Sequence, residues 1–163
     1  MRPPRLEEFL VDTLGKAPEV QRTEAWHEGS TRPAGVHVAF TTGSELWIAV
    51  TGGGQPGEDY DKPEVPVTDA PPAEVPVPDL LQGGKVTPIT AENYLAAVLT
   101  NSGSPEIKRV YAYSAGATAT SPTAHPGVGI EWHSGAKSFL PFVHNRGRQD
   151  AKYSEAFKLH KAF

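Results

Sequence analysis

Pro18-Glu19-Val20-Gln21-Arg22-Thr23-Glu24-Ala25-Trp26 returns in the second half of the chain as Pro105-Glu106-Ile107-Lys108-Arg109-Val110-Tyr111-Ala112-Tyr113. Self-similarity of this kind constrains the fold before any motif is recognised. Upstream, Glu8-Phe9-Leu10 with Leu14 matches Asn93-Tyr94-Leu95 with Leu99. Downstream, Gly35-Val36-His37-Val38-Ala39-Phe40-Thr41-Thr42-Gly43 matches Gly127-Val128-Gly129-Ile130-Glu131-Trp132-His133-Ser134-Gly135, and Trp47-Ile48 falls on Phe139-Leu140. Over three gap-free blocks 10 of 33 positions are identical, where average composition alone gives roughly 2. The two gaps fall in stretches rich in Gly, Pro, Ser and Thr, which read as loops.

Each copy reads as one helix followed by three strands. Leu6, Phe9, Leu10 and Leu14 recur at helical spacing, as do Tyr94, Leu95, Val98 and Leu99, with Thr90 as the N-cap of the second helix and Asn101-Ser102-Gly103-Ser104 as its stop. Val20 to Trp26 and Ile107 to Tyr113 carry the β-branched and aromatic residues of strands. Val36 to Phe40 turns through Thr42-Gly43-Ser44 and returns as Leu46 to Val50, a hairpin repeated by Val128 to Trp132 and Ser138 to Val143. Pro141 points to an edge position or a bulge in the last strand. The expected fold is therefore α+β: two repeated helix-plus-three-strand units with mainly antiparallel sheet, related by a pseudo-twofold and joined by a Pro-rich linker. The units span 1–51 and 89–145, the linker 52–88 and a basic C-terminal helix 146–163, all expected to fold as one cooperative domain.

The linker holds 8 of the 16 prolines, and from Glu58 to Asp79 seven acids stand against Lys62 alone. Such a segment reads as an extended or disordered spacer. Within it Glu64-Val65-Pro66-Val67-Thr68-Asp69 recurs as Glu74-Val75-Pro76-Val77-Pro78-Asp79, followed by Leu80-Leu81. An interaction segment is the alternative reading. From Lys137 to Phe163 six Lys and Arg face two acids, and attraction between this segment and the linker is expected. Tyr153, Ala156, Phe157 and His160 stand at helical spacing for a closing helix.

The chain has 163 residues, about one domain's length, with 15 Lys and Arg against 19 Asp and Glu for a net charge of −4. That balance gives no general pull toward nucleic acid or anionic lipid. No Cys is present, which removes disulfides, thiolate metal sites and Cys nucleophiles. Glu7 and Glu8 interrupt any signal-like run near the start, and no stretch approaches the roughly 20 apolar residues of a membrane span. A cytoplasmic protein is the expectation.

Chemical motifs are sparse. Gly52-Gly53-Gly54-Gln55-Pro56-Gly57 fits the dinucleotide fingerprint in letters, but the following prolines leave no helix to receive phosphate. Ala112-Tyr113-Ser114-Ala115-Gly116 approximates a nucleophile elbow without the helix that should follow. The six histidines, His27, His37, His125, His133, His144 and His160, form no compact ligand pair. Glu131, His133 and His144 are the best metal candidates if hairpin pairing gathers them, and they read more simply as solvated sheet residues. No catalytic residue, metal site or cofactor is assigned.

Strand alternation instead offers a surface. Thr23, Ala25, Val110 and Ala112 are small enough to face a helix, whereas Val20, Arg22, Glu24 and Trp26, with Ile107, Arg109, Tyr111 and Tyr113, share the other side. Arg with Trp and Tyr is the composition of interface hot spots. The reading is a non-catalytic protein-binding or accessory protein, acting through Arg22, Trp26, Arg109, Tyr111 and Tyr113 and through the linker, with a protein partner or a homodimer. The alternative is a small hydrolase or metal-dependent enzyme using His27, His133, Glu131 or Ser114 between the units.

Overall fold

A computed structural model describes residues 1–55, 57–115, 126–147 and 159–163. Helix α1 covers Pro3–Gly15 and helix α2 Pro88–Thr100, each opened by a proline in its first turn, where the missing N–H has no intrahelical acceptor anyway. Leu6, Leu10 and Leu14 lie four apart and are each 1% exposed, so one stripe of α1 is core. The second helix starts earlier than its pattern predicts. Thr87, not Thr90, is the N-cap: its hydroxyl accepts from the Thr90 N–H, and the Thr90 hydroxyl accepts from the Thr87 N–H. Thr90 is the return half of a capping box.

Strands β1 (Val20–Ala25), β2 (Gly35–Phe40), β3 (Glu45–Ala49), β4 (Thr51–Gly53), β7 (Ile107–Ala112), β8 (Gly127–Trp132) and β9 (Lys137–Arg146) form one antiparallel sheet. Its order is β1-β2-β3-β9-β8-β7, with β4 extending the β3 side of β9. A separate small hairpin joins β5 (Leu81–Gln82) to β6 (Lys85–Val86). Both helices pack on one face, α1 against β1 and β2, α2 against β7 and β8, and the helices also touch each other. Val36, Val38, Phe40, Leu46, Ile48, Val128, Ile130, Trp132, Leu140 and Phe142 turn toward them, and the buried apolar residues form one main cluster running through both halves.

Pro141 lies inside the sheet, not at its edge. The Phe142 N–H bonds the Pro126 carbonyl on the β8 side, so the neighbouring Pro141 nitrogen faces the other way. There the pairing is interrupted between Ile48↔Phe142 of β3 and Thr51↔Phe139 of β4. The missing donor falls where the ladder is already open.

Several contacts occur at matching places in both halves. Glu7 of α1 accepts from the Gly35 N–H at 2.8 Å, and Glu92 of α2 from the Gly127 N–H at 2.5 Å. A Cβ at Gly35 would meet the Trp26 ring and the Ile48 carbonyl; at Gly127 it would meet the Tyr113 ring and the Leu140 carbonyl. Pairing shifts register between Val20 and Arg22 in β1, and between Ile107 and Arg109 in β7. These bulges turn Val20 and Ile107 into the core, off the face on which strict alternation placed them.

Glu92 is 1% exposed and accepts a further hydrogen bond from the Ser114 N–H at 3.2 Å. Removing this carboxylate strands the buried Gly127 N–H, while water can reach the N–H of the exposed Ser114. Glu92→Ala is therefore expected to lower unfolding stability by about 1–3 kcal/mol, the cost of one buried unsatisfied donor. Glu7→Ala should cost less, because the Glu7 side chain retains 13% exposure and water can replace it. Urea denaturation compares the two, and an equal or larger loss for Glu7→Ala would contradict this account.

The segment between β4 and β5 is an extended strap laid on the body. Leu80 and Val86, within the stretch read as a spacer, are core residues. Among the described residues Glu58 and Glu64 of the strap pair with the N-terminal arginines and Asp59 with Lys62 of the strap itself, while most of the basic C-terminal segment lies outside the described residues. Arg2 binds Glu58 at 2.7 Å. Arg5 forks twice, to Glu64 at 2.6 and 3.0 Å and to Glu106 of the body at 2.7 Å through both nitrogens. Farther along, the Asp69 N–H reaches the Pro105 carbonyl and His133 Nε2 lies 3.1 Å from the Ala70 carbonyl. The closing helix expected at the C-terminus falls mainly on residues 148–158, outside the described residues. Phe163 is buried and pairs its backbone with Val86 in both directions.

The Arg5 hydrogen bonds hold the Glu64 carboxyl at about 2, against about 4.3 for a free side chain. A depressed value contributes stability above the unfolded pKa and loses it as pH falls toward the folded one. The wild-type chain should therefore lose melting temperature more steeply than Glu64→Gln between about pH 4 and pH 2. Arg5→Ala, which leaves Glu64 and Glu106 facing each other, should already melt several degrees lower at pH 7. Identical acid profiles for wild type and Glu64→Gln would remove the latch.

Candidate binding face

The sheet face opposite the helices carries the candidate site. Its side chains stand in cross-strand rows because every pairing is antiparallel and strand residues alternate faces. One row runs Glu24–His37–Trp47–His144 across β1, β2, β3 and β9; the next runs Arg22–Ala39–Glu45–Arg146. In the other half the rows are Tyr111–Gly129–Phe139–Thr51 and Arg109–Glu131–Lys137–Gly53.

His37 is the most constrained group on this face. Its Nδ1 lies 2.8 Å from Glu24 and its Nε2 2.9 Å from Glu45, while its ring stacks on Trp47 with centroids 4.3 Å apart and planes 15° from parallel. It is 7% exposed, although it sits on the outer face. The hydrogen bond from His37 holds the Glu24 carboxyl below its ordinary range. Burial opposes the charge on Glu45, but hydrogen bonds from Arg146 and His37 outweigh it and keep that carboxyl low as well. The Arg146 guanidinium also lies over the Trp47 ring at 5.8 Å, and the His144 ring is tilted against the indole with centroids 4.7 Å apart. Trp47, half-buried, is thus held in place by charged and aromatic neighbours.

In the second half, Tyr111 and Tyr113 form a small apolar cluster with Phe139. The Tyr111 ring occupies the space above Gly129, where any Cβ would collide with it. Arg109 is exposed and lies over the Tyr111 ring at 5.4 Å. Burial pushes the ionisation of the Tyr113 hydroxyl above the ordinary tyrosine range, so it stays neutral.

All five residues singled out from the sequence lie on this side, but they do not form one cluster. Arg22 and Trp26 mark the β1 edge, Arg109, Tyr111 and Tyr113 the β7 edge. Five interstrand steps of about 4.8 Å put those edges about 24 Å apart. Tyr111 and Tyr113 are buried, at 6% and 8% exposure, and serve as a floor, whereas Arg22 and Arg109 project. Arg22 reaches Glu24 at 3.6 Å. The centre of the face, His37, Glu45, Trp47 and Arg146, was missed. Its sequence signal is the outward-facing set of the first hairpin, His37 with Glu45 and Trp47.

The enzymatic alternatives separate in space. Glu131 pairs across from Lys137, and His144 lies seven residues farther along β9, about 20–25 Å away. His133 belongs to the turn and faces the strap. His27 Nε2 is engaged by Glu7 at 2.9 Å. Ser114 sits in a short 3-10 turn, its N–H bonded to Glu92. Among the described residues no group of three or more His, Asp or Glu is arranged to hold a metal ion, and none of their helices is long and apolar enough to cross a membrane.

No protein-family model matches the chain, and neither a curated protein nor a solved structure matches it.

If the His37–Trp47 stack is a real unit of this face, the two side chains are energetically coupled. A double-mutant cycle with His37→Ala and Trp47→Ala should give a coupling of about 0.5–1.5 kcal/mol in urea denaturation. Additive losses would show that the rings merely adjoin.

Proposed function

We propose that the chain is a non-catalytic protein-binding or accessory protein whose outer sheet face engages a protein partner. One observation carries this reading: the face bears a fixed Trp47, flanked by Arg146 and by His37, with Arg22 and Arg109 projecting at either edge. Large aromatics and arginines held before contact lose little conformational freedom on binding, which is how such residues come to dominate interface energies. Chemistry at His37 is disfavoured on this reading. Both of its ring nitrogens are engaged by carboxylates, so a substrate proton or a metal would have to displace one of them. We further infer that the chain arose as two fused copies of one αβββ unit, supported by the matched Glu7–Gly35 and Glu92–Gly127 contacts and the matched bulges. On that basis the Arg22 and Arg109 edges are equivalent surfaces, suited to a partner that spans the sheet.

The test places a photo-crosslinking amino acid at Arg22 or Arg109 on this face, and at the exposed Glu8 of α1 on the opposite layer. Adducts with a protein should form from the first two positions and not from Glu8, and Trp47→Ala should reduce them at least fivefold without lowering the melting temperature by more than a few degrees. Equal yields from Glu8, or none from either face position, would reject the assignment.

A further inference from the structure

On the opposite layer, the strap crosses the end of α2 at a contact unlike its ion-pair latch. Asn101 caps that helix, its own N–H bonded to the Ala97 carbonyl at 3.0 Å, so its side chain projects from a fixed base. The side-chain amide binds a single strap residue twice: Oδ1 accepts from the Val75 N–H at 2.8 Å, and Nδ2 donates to the Val75 carbonyl at 2.8 Å. This geometry holds an extended backbone and reads no side chain. Selectivity has to come from what lies beside it.

Beside it lies an open groove of about 550 Å³ between the ends of α1 and α2, with apolar walls from Phe9, Ala17, Pro18 and Val98. Val77 of the strap forms part of one wall and does not fill the groove, remaining 46% exposed, with Val75 at 41%. Leu80, three residues on, is 2% exposed. The strap is fastened at Glu64, at Asp69 and Ala70, and at Leu80, and from 71 to 79 the hydrogen bonds described between it and the body are the two to Asn101. A Val-Pro-Val tract fits here because valine favours extended backbone and proline reduces the freedom lost on docking.

We propose that Asn101 and the adjoining groove form a seat for an extended Val-Pro-Val peptide segment of a partner protein, and that the chain's own Val75-Pro76-Val77 is its resident occupant in cis. The groove is continuous with the contact the strap already makes, so the bound tract defines the chemistry of the ligand. A tether fixed at both ends keeps the resident tract at high effective concentration; an outside segment competes only when the strap lifts. This surface lies on the layer opposite the outer sheet face, and the two readings stand or fall separately.

The probe is a fluorescein-labelled synthetic peptide of sequence Asp-Ala-Pro-Pro-Ala-Glu-Val-Pro-Val-Pro-Asp, titrated with the full chain by fluorescence anisotropy. In the variant Val75→Pro with Val77→Ser, the resident tract loses its N–H donor and a methyl-bearing wall, and the peptide should bind at least tenfold more tightly than to wild type. Adding Asn101→Ala to that variant should weaken it again at least tenfold. No saturable binding to the vacated chain, or binding indifferent to Asn101→Ala, overturns the proposal. So does a concentration-dependent dimer of the wild-type chain abolished by Asn101→Ala, which gives the seat to a second copy. Hydrogen exchange on the unaltered chain is an independent check. The Val75 amide should exchange at least a hundredfold faster than the buried turns of α2, and equal protection would mean that the strap never vacates the seat.

Discussion

Antiparallel pairing of β3 with β9 is the constraint on which the structure depends. It joins strands from the two ends of the chain, Glu45 opposite Arg146 and Ile48 opposite Phe142, and so makes one sheet from two three-stranded pieces. Because the joint is antiparallel, both helices arrive on the same side and cover a common apolar cluster. The same joint completes the outer face. Trp47 and Glu45 come from β3, while His144, which packs against the indole, and Arg146, which pairs with Glu45, come from β9. Neither half alone holds that group of side chains.

Polar groups within the two layers are satisfied by a similar economy. Each helix contributes one carboxylate that crosses to the first N–H of a strand, and each such strand begins with a glycine roofed by an aromatic ring. A side chain at that glycine would collide with both the ring and a neighbouring carbonyl. The aromatic ring replaces the packing that glycine cannot supply, which suits a strand that would otherwise be weak at this point. Outside the layers, the strap relies on charge: Arg5 spends its planar fork on two carboxylates at once, a geometry lysine could not reproduce.

Much of this was legible in the residues, for identifiable reasons. The helix stripes, both hairpins and the α+β class follow from periodicity, because burial on one side imposes a spacing of 3.6 or of 2. Alternation failed at Val20 and Ile107, where a bulge adds one residue and reverses the parity; no local residue type announced it. Thr90 reads as the cap because it precedes the apolar pattern, whereas Thr87-Pro88 is the chemical start. Pro141 points to an edge or a bulge, and it is the second that fits: β9 shifts register against β3 between His144 and Phe142, beside the proline, where the sheet is interrupted between β3 and β4. The centre of the candidate face is hard to see in the sequence because it assembles across the β3–β9 joint, a long-range pairing that composition does not encode. The strap's partners Arg2 and Arg5 are equally remote in sequence, and charge alone does not point from Glu58 and Glu64 to them.

The position of β9 also bears on biosynthesis. A strand encoded well over a hundred residues into the chain occupies the middle of the sheet, so the β3 edge and the inner side of α1 emerge from the ribosome with nothing to cover them. Until Lys137–Arg146 has been made, Ile48 and Leu46 belong to an open-sided fragment with an unpaired edge, the kind of intermediate that invites wrong pairings or a chaperone. The acidic strap is translated directly after that fragment, so seven acids against Lys62 alone join it before the closing strand is made, and charge of one sign opposes association.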